Sequence, residues 1–312
     1  MSEARAERSI GPDDERWRGR AGPDDPAGRR LSVAEEWVSL LREIVRDAAA
    51  LLSRGVRRSR SQVTDDYEHG VWRHALVQKP WLGAASLADY VEPARDRRLR
   101  KTLLATVNGR VVRIDTRDYY RYRNRLLLAV LERWAEGEED LVELGCGAGV
   151  NLFALRLSGR WKRLLGFDVS ENALTVARET ARHFGVTGVA FETLDLGVAT
   201  DAGFSRLRGK VVFTYYVLEQ LKYELRPVIE NLVRSGVRRA IHIETGTDLL
   251  HRWSLRFAAN RLYILRQDYQ DRLVEILHAL EREGLLRIMD LRRLGHAPSP
   301  KNDPVMVVWE AR

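Results

Sequence analysis

The amino-acid sequence predicts an α/β fold: a doubly wound, seven-strand, mostly parallel sheet with an antiparallel last strand, plus an N-terminal helical and β-hairpin cap. Two observations carry this prediction. From residue 140 onward, short apolar runs alternate with helical patterns at the spacing of βαβ units, which form parallel sheets with helices on both faces. The first run ends in a glycine-rich turn, Gly145 to Gly149, which can bring backbone close to a ligand.

The first 30 residues are predicted to be a disordered tail. They are rich in proline, glycine and charge, and the tetrapeptide Gly-Pro-Asp-Asp occurs at 11–14 and again at 22–25. Little apolar periodicity is present that would sustain folding.

An amphipathic helix is predicted from Ser32 to about Leu52. Ser32 and Glu35 fit a capping box, and apolar residues follow at helical spacing. The arginine-rich stretch 54–60 is expected to be the helix end and a solvated loop.

A β-hairpin and a further helix are predicted before the sheet. Two apolar runs, 103–107 and 110–114, flank Asn108-Gly109, the favoured pair for a type I′ turn. Residues 126–134 then form an apolar helix. The predicted units are therefore a tail at 1–30, a cap at 31–118 and an α/β domain at 119–312.

Seven strands are predicted in the α/β domain, and the last two read as an antiparallel pair. They are 141–144, 163–168, 189–193, 211–216, 239–244, 285–292 and 304–310. The segment 248–283 is longer than a minimal connection and is expected to add a helix beside the ligand site, either as a lid or as a thicker wall.

The glycine turn indicates which ligand class is expected. The dinucleotide fingerprint G-x-G-x-x-G would require a third glycine where Val150 stands. An acidic residue two places before G-x-G-x-G, in VELGCGAG, instead resembles motif I of the class I, Rossmann-like, S-adenosylmethionine (SAM) dependent methyltransferases. The resemblance covers about 120–312 and implies that SAM is the cofactor.

The cofactor site is expected along the carboxyl ends of the first strands. Asp168 ends the second strand, where a carboxylate can accept hydrogen bonds from both ribose hydroxyls; the alternative is that it only caps the next helix. The resemblance implies that Asp195 is near the adenine amino group, with an ordinary strand-ending turn residue as the alternative. It also implies that Glu143 is oriented towards the methionine end or the amides of the glycine loop. The full expected set is Glu143, Gly145, Cys146, Gly147, Gly149, Asn151, Asp168, Val169, Ser170, Asp195, Leu196 and Tyr215.

The acceptor site is less specific. Tyr216 to Leu221 resembles an "HVLEHL"-like segment of small-molecule methyltransferases, with tyrosine and glutamine where histidines often stand. His242 and Glu244 share one face of a strand expected to be buried on both sides, where charge is costly unless paired or functional; the alternative is an internal structural pair. The expected catalytic residues are His242, Glu244, Glu219 and Tyr216.

Aromatic residues near the expected site indicate the chemical class of the acceptor. Tyrosine ring faces can surround a cationic amine, although plain packing is the alternative for each ring. The expected substrate-binding residues are Tyr119, Tyr120, Tyr122, Arg123 and His251. We therefore expect a small-molecule or peptide acceptor, with N-methylation slightly favoured over O-methylation. Two other hypotheses are an RNA methyltransferase that docks through the basic N-terminal region, and a non-catalytic methyltransferase-like scaffold.

Composition adds few constraints. The 312 residues carry a net charge of +8, but the arginines are scattered among acidic residues and do not form a block of like charge. Nucleic acid is therefore not a favoured partner. The single cysteine, Cys146, excludes an intrachain disulfide framework, and a cytoplasmic location is expected because no apolar signal core or membrane span is evident. The histidines His242, His251 and His296 lack a metal-ligand spacing, so no metal is expected.

Overall fold

The computed structural model describes residues 28–53, 66–95, 99–197, 201–221 and 224–312. The predicted tail, apart from residues 28–30, and the basic stretch 54–60 lie outside the described residues. Element bounds in chain order are β1 (Arg29–Arg30), α1 (Val33–Ser53), α2 (Arg73–Gln78), α3 (Leu87–Val91), β2 (Thr102–Val107), β3 (Arg110–Asp115), α4 (Thr116–Trp134), β4 (Asp140–Leu144), α5 (Val150–Leu157), β5 (Arg163–Asp168), α6 (Glu171–His183), β6 (Val189–Thr193), α7 (Asp201–Ser205), β7 (Val211–Tyr215), α8 (Leu225–Arg234), β8 (Arg239–Thr245), α9 (Leu255–Gln267), α10 (Leu273–Arg282), β9 (Leu286–Arg293) and β10 (Pro304–Ala311).

The seven-strand sheet confirms the predicted fold class. Its strand order is β6-β5-β4-β7-β8-β10-β9. The first five strands pair in parallel, whereas β10 is antiparallel to both β8 and β9. Strand order reverses between β4 and β7, and open α/β sheets bind ligands at the carboxyl ends of strands at such a switch point.

Apolar side chains cover both faces of the sheet. In β4, Val142 and Leu144 point into one core cluster and Leu141 into the other, as the two-residue period of a strand requires. Trp309 of β10 is fully buried in the first cluster, and Phe213 of β7 in the second. The sheet is therefore a rigid platform for the residues at its carboxyl edge.

The predicted hairpin forms part of a small three-strand sheet with the order β1-β3-β2. Asn108 and Gly109 both have positive φ, 47° and 71°, as a type I′ turn requires. The hairpin packs on α4 through Tyr119, Tyr122 and Leu126.

Helix α4 begins ten residues before the predicted helix start. The Asp115 carboxylate caps it by accepting a hydrogen bond from the Arg117 amide at 2.8 Å. The tyrosines and arginine at 119–123 are therefore helical, and the proposed division between residues 118 and 119 falls inside this helix.

Helix α1 has the predicted capping box. The Ser32 amide donates to Glu35 Oε2 at 2.8 Å, and the Glu35 amide donates to Ser32 Oγ at 3.3 Å. The helix lies along α9, the additional helix predicted within 248–283, and Arg256 of α9 pairs with Glu36. Within the described part of the chain, no helix is both long enough and apolar enough to span a membrane.

Candidate functional site

A cavity of about 1780 Å³ opens at the carboxyl ends of β4, β5 and β7. Ligand pockets commonly measure about 300–1,000 Å³, so this cavity has room for a cofactor together with an acceptor. The predicted residues that line it are Gly145, Cys146, Gly147, Asn151, Asp168, Val169, Ser170, Asp195, Leu196, Tyr119, Tyr120, Arg123, Tyr215, Tyr216 and Glu219. Glu143, Gly149, Tyr122, His242, Glu244 and His251 are not among the lining residues.

The glycine turn has a backbone that side chains would obstruct. Gly145, Gly147 and Gly149 have φ of 73°, 52° and 73°. A Cβ atom would lie 2.5 Å from the Val217 side chain at Gly145 and 2.6 Å from the Phe191 ring at Gly149. Gly145 and Gly149 therefore allow the turn to pack closely within the fold, and Gly145 and Gly147 border the cavity.

Asp168 faces the cavity at the end of β5. Its Oδ2 accepts from the Gly147 amide at 2.7 Å and its Oδ1 from the Ser170 amide at 2.9 Å. A carboxylate oxygen can accept two hydrogen bonds, so each oxygen retains capacity for a ligand hydroxyl. Helix α6 is capped by Ser170, whose Oγ accepts from the Ala173 amide at 3.0 Å; helix capping therefore does not account for Asp168.

The buried guanidinium of Arg123 and the buried carboxyl group of Glu143 are joined by one amide. Asn151 Nδ2 donates to Glu143 Oε1 at 2.5 Å, and the Arg123 guanidinium donates to Asn151 Oδ1. Arg123 also donates to the uncharged oxygens of Asn124 and Tyr215, at 2.8 and 3.3 Å. Among the described residues, Glu143 Oε2 is a buried acceptor without a hydrogen-bond partner.

This arrangement fits the amino-acid end of the expected cofactor. Burial raises the pKa of Glu143 to about 8, because an ionised carboxyl group there lacks solvation. Buried charges are costly unless they are paired. A zwitterion that brings an ammonium to Glu143 and a carboxylate to Arg123 would neutralise both residues.

The remaining predicted cofactor residues border the same cavity. Asp195 Oδ1 accepts from the Gly197 amide at 2.9 Å, and Val169 and Leu196 supply apolar surface. Cys146 is buried, and a Cβ built on Gly166 would lie 2.7 Å from its sulfur. Burial raises the pKa of the Cys146 thiol, so the thiolate needed for nucleophilic chemistry is disfavoured.

Glu219 brings a carboxyl group to the cavity from the short helical turn after β7. It is 3% exposed, and its Oε2 accepts from the Thr245 amide at 3.0 Å. Burial raises the pKa of Glu219 to about 7. A group with this pKa can exchange a proton near neutral pH.

Glu244 lies beneath this turn rather than in the cavity wall. Its Oε2 accepts from the Val217 and Leu218 amides at 2.8 and 3.0 Å, and its Oε1 accepts from Thr214 Oγ1 at 2.5 Å. Burial, with added repulsion from Glu219, raises the pKa of Glu244. Glu244 therefore holds the turn that carries Glu219.

His242 is inside the sheet, away from the cavity. Trp309 Nε1 donates to His242 Nε2 at 2.9 Å, so the neutral ring carries its proton on Nδ1, which lies 2.9 Å from Thr214 Oγ1. Burial lowers the pKa of His242 to about 3. The geometry favours the structural alternative for His242 over direct contact with an acceptor.

The predicted tyrosines divide into two groups. Tyr119, Tyr120, Tyr215 and Tyr216 line the cavity, whereas the Tyr122 hydroxyl donates to Asn108 Oδ1 of the hairpin at 2.7 Å. Tyr216 has a positive φ of 59°, a conformation that costs energy in a bulky residue and occurs often at functional sites. His251 is exposed.

Four further residues in the cavity wall or next to it had no recognisable sequence signal. His296 Nε2 lies 2.8 Å from the Tyr215 hydroxyl, and the Tyr216 hydroxyl donates to the Asn302 carbonyl at 3.0 Å. Trp72 lies over Gly147, and Glu68 accepts from the Ser170 hydroxyl at the start of α6. All four come from loops or short helical turns that approach the sheet through long-range contacts.

A protein-family model described as "Methyltransferase domain" matches residues 136–295, slightly more than half of the chain. The match runs from just before β4 to just after β9 and includes Gly145, Asp168, Asp195 and Glu219. No curated protein matches the chain. In the described residues, no group of three or more histidine, cysteine, aspartate or glutamate side chains could hold a metal ion.

Solved structures similar to the chain include magnesium protoporphyrin IX methyltransferase from Synechocystis PCC 6803 with bound SAM, at 15% identity and a TM-score of 0.45, covering 63% of this chain and 81% of that one. A SAM dependent methyltransferase from Aquifex aeolicus has 17% identity, a TM-score of 0.43 and coverages of 61% and 93%. The [4+2]-cyclase SpnF has 15% identity, a TM-score of 0.44 and coverages of 62% and 82%.

Proposed function

This chain belongs to the methyltransferase domain family and uses SAM as its methyl donor, and we propose that it methylates the nitrogen of a small-molecule or peptide amine. In this proposal the part of the chain before α4 caps the methyltransferase domain, which begins with α4, and the acceptor occupies the part of the cavity bordered by Glu219 and the tyrosines.

The observation that carries the amine proposal is the buried carboxyl group of Glu219 in a tyrosine-lined cavity. Tyr119, Tyr120, Tyr215 and Tyr216 supply aromatic surface, which attracts cations through the ring faces. Glu219 adds the negative charge that a protonated amine requires for burial. Neither the aromatic surface nor the negative charge of Glu219 would stabilise an uncharged alcohol to the same extent.

The cofactor residues are assigned roles in the same proposal. Asp168 accepts hydrogen bonds from the ribose hydroxyls, and Asp195 accepts from the adenine amino group. Glu143 and Arg123 bind the ammonium and carboxylate of the methionine end. The sequence led us to expect that Arg123 binds the acceptor. We now assign it to the cofactor, because its guanidinium is joined to Glu143 through Asn151.

Residues of this chain are assigned to the removal of a proton from the amine. When bound, SAM supplies a methyl carbon activated by positively charged sulfur, and the new N–C bond forms as the S–C bond breaks. A protonated amine has no lone pair for this attack, so it must first lose a proton. Glu219 accepts that proton, and the tyrosine rings exclude water and orient the nitrogen.

The test is a labelling experiment with SAM that carries ¹³C in its methyl group. The protein is incubated with this SAM and a metabolite extract, with heat-inactivated protein as the control, and the products are examined by carbon NMR. A new N-¹³CH₃ signal in the low-molecular-weight fraction is the expected result.

The other outcomes each contradict part of the proposal. An O-¹³CH₃ or C-¹³CH₃ product would overturn the amine acceptor, and label in RNA would favour the nucleic-acid alternative. The absence of any product above the heat-inactivated control would point to a non-catalytic scaffold.

A further inference from the structure

Helix α1 turns its charged side toward the protein. Glu36 pairs with Arg256 near the start of α9, and Asp47 lies between Lys301 and Arg266. Lys301 Nζ is 2.5 Å from Asp47 Oδ2, and Arg266 Nε is 3.0 Å from Asp47 Oδ1. Asp47 and Lys301 are both buried. Ionic contacts therefore hold this side of α1 against the fold, and the opposite side of the helix faces outward.

The outward side of α1 is mostly apolar. Its exposed residues recur at helical spacing and form one stripe about 29 Å long, at 1.5 Å per residue. Single exposed apolar residues are common on protein surfaces, but a contiguous apolar patch marks an interaction surface. We call this set the outer stripe: Val33, Ala34, Trp37, Val38, Leu41, Arg42, Val45, Arg46, Ala49 and Leu52.

The charge of the outer stripe is positive. Arg42 and Arg46 are its only charged members, and Arg46 also pairs with Glu43 beside the stripe. In the sequence, the eleven residues that follow α1, 54–64, contain four arginines and no acidic residue. The acidic residues of α1 lie off the stripe and have basic partners: Glu35 with Arg29, Glu36 with Arg256, Glu43 with Lys301, and Asp47 with Lys301 and Arg266.

Two exposed tryptophans lie near the start of α1. Trp37 of the outer stripe is 60% exposed, and Trp253 is 91% exposed. Trp253 comes three residues before Arg256, and Arg256 binds Glu36, the neighbour of Trp37 in the sequence. Tryptophan is enriched where a protein meets the boundary between lipid and water, because its ring system is apolar and carries one N–H group. The tryptophans therefore favour a membrane boundary as the partner of this surface.

A second copy of the chain does not match the charge of the outer stripe. A two-fold interface brings the same patch of two molecules together. Arg42 and Arg46 would then face their own copies, and the stripe has no acidic residue to pair with them. Charge complementarity instead requires a partner that combines an apolar interior with negative charge at its surface.

We propose that the outer stripe of α1 binds the surface of a membrane that contains anionic lipids. Helix α1 lies in the plane of the membrane, its apolar side chains enter the boundary between head groups and acyl chains, and Arg42 and Arg46 contact the lipid phosphates. This mode of binding requires no membrane-spanning helix. It goes beyond the proposed methylation and does not depend on the identity of the acceptor.

The test measures binding of the 312-residue protein to lipid vesicles by sedimentation. One set of vesicles contains equal amounts of phosphatidylcholine and the anionic lipid phosphatidylglycerol, and the other contains phosphatidylcholine alone. The bound fraction is determined over a range of lipid concentrations. We expect binding to the anionic vesicles to be at least about tenfold tighter, because each arginine near an anionic surface strengthens binding by about fivefold.

Three variants locate the binding surface. Leu41→Glu should weaken binding to the anionic vesicles by about tenfold or more, because it places a charge within the apolar stripe, and Arg42→Gln should weaken it by about fivefold. Leu157→Glu is the matched control, because Leu157 of α5 is 51% exposed and Leu41 is 46% exposed. All three should retain the thermal unfolding of wild type and its affinity for S-adenosylhomocysteine (SAH), the demethylated cofactor.

Equal binding of the folded wild type to both kinds of vesicle, or to neither, would overturn the proposal, and the second result would favour an acidic protein as the partner. Equal binding of Leu41→Glu and Leu157→Glu to the anionic vesicles would also overturn it. Sedimentation equilibrium without lipid tests the second copy: a wild-type dimer that becomes a monomer in Leu41→Glu would assign the stripe to self-association instead. The vesicle measurements need no acceptor, so their failure is distinct from a failure of the proposed amine methylation.

Discussion

Arg123 and Glu143 hydrogen-bond to opposite atoms of the same side-chain amide, that of Asn151. A buried guanidinium and a buried carboxyl group are thus kept apart by one neutral group, although direct pairing would relieve both. In the proposed site, the zwitterionic end of SAM provides the missing partners.

Arg123→Met should therefore weaken SAH binding by roughly 10- to 100-fold, the cost of a lost hydrogen bond to a charged group of about 1.5–3 kcal/mol. Calorimetric titration with SAH measures the change. Arg121→Met is the control, because Arg121 lies on the same helix but is half exposed and pairs with Glu92. Equal affinity in the two variants would exclude Arg123 from the cofactor site.

The pKa of Glu143 predicts how the stability of the cofactor-free protein depends on pH. A carboxyl group whose pKa rises from 4.5 in the unfolded chain to about 8 in the folded protein binds its proton more tightly when folded. The free energy of unfolding should therefore fall as pH rises from about 4.5 to about 8 and then level off, by up to about 1.4 kcal/mol per pH unit for this group.

Glu143→Gln should flatten this dependence, since glutamine does not titrate. Urea unfolding at pH 5, 6, 7 and 8 measures it, with Glu275→Gln as the control because the pKa of that exposed residue is lowered by its hydrogen bond to Arg272. The same slope in wild type and Glu143→Gln would show that Glu143 does not carry the effect.

Glu219 predicts the pH dependence of turnover. Since the proposed base is the ionised carboxylate, kcat/KM for the amine identified by labelling should rise as pH passes through about 7, the pKa of Glu219. Glu219→Gln should lose this limb and lower kcat by roughly 10²- to 10⁴-fold, the usual contribution of general-base catalysis. A limb near pH 7 that persists in Glu219→Gln would assign the proton transfer to another group.

His242 is predicted to act on stability rather than on the cofactor. His242→Phe leaves the buried Trp309 indole N–H without its acceptor, whereas the Thr214 hydroxyl keeps its hydrogen bond to Glu244, and a buried unsatisfied polar group costs about 1–3 kcal/mol. Thermal unfolding should show the loss, while SAH affinity stays within about twofold of wild type. Wild-type stability combined with lost turnover would instead support the catalytic role expected from the sequence.

Local patterns were sufficient to predict the sheet and its glycine turn. Strands such as 163–168 and 189–193 have the predicted bounds, because the apolar runs and the turn residues around them are short-range signals. The start of α4 was predicted too late, since 118–124 alternates tyrosine with charged residues and shows no simple apolar stripe. Its cap, Asp115, is also the last residue of β3.

The part of the cavity proposed to bind the acceptor is formed by long-range contacts, which no local sequence pattern predicts. His242 and Glu244 alternate along β8 as predicted, but the two-residue period does not reveal which face meets the cavity. His296 approaches Tyr215 only because a hairpin nearly two hundred residues earlier in the chain holds its loop. The contact between His296 and Tyr215 could therefore be found only in the folded arrangement.

We propose that SAM binds at the carboxyl edge of β4 and β5 with its ribose on Asp168. Calorimetric titration of wild type, Asp168→Ala and Asp140→Ala with SAH tests it most directly, since Asp140 is at the opposite end of β4, paired with Arg163 and Lys210. We predict tight binding in wild type, little change in Asp140→Ala and a loss of roughly 100-fold in Asp168→Ala, the equivalent of about 3 kcal/mol for two hydrogen bonds to a carboxylate. Unchanged affinity in a folded Asp168→Ala variant, or an equal loss in both variants, would contradict the claim.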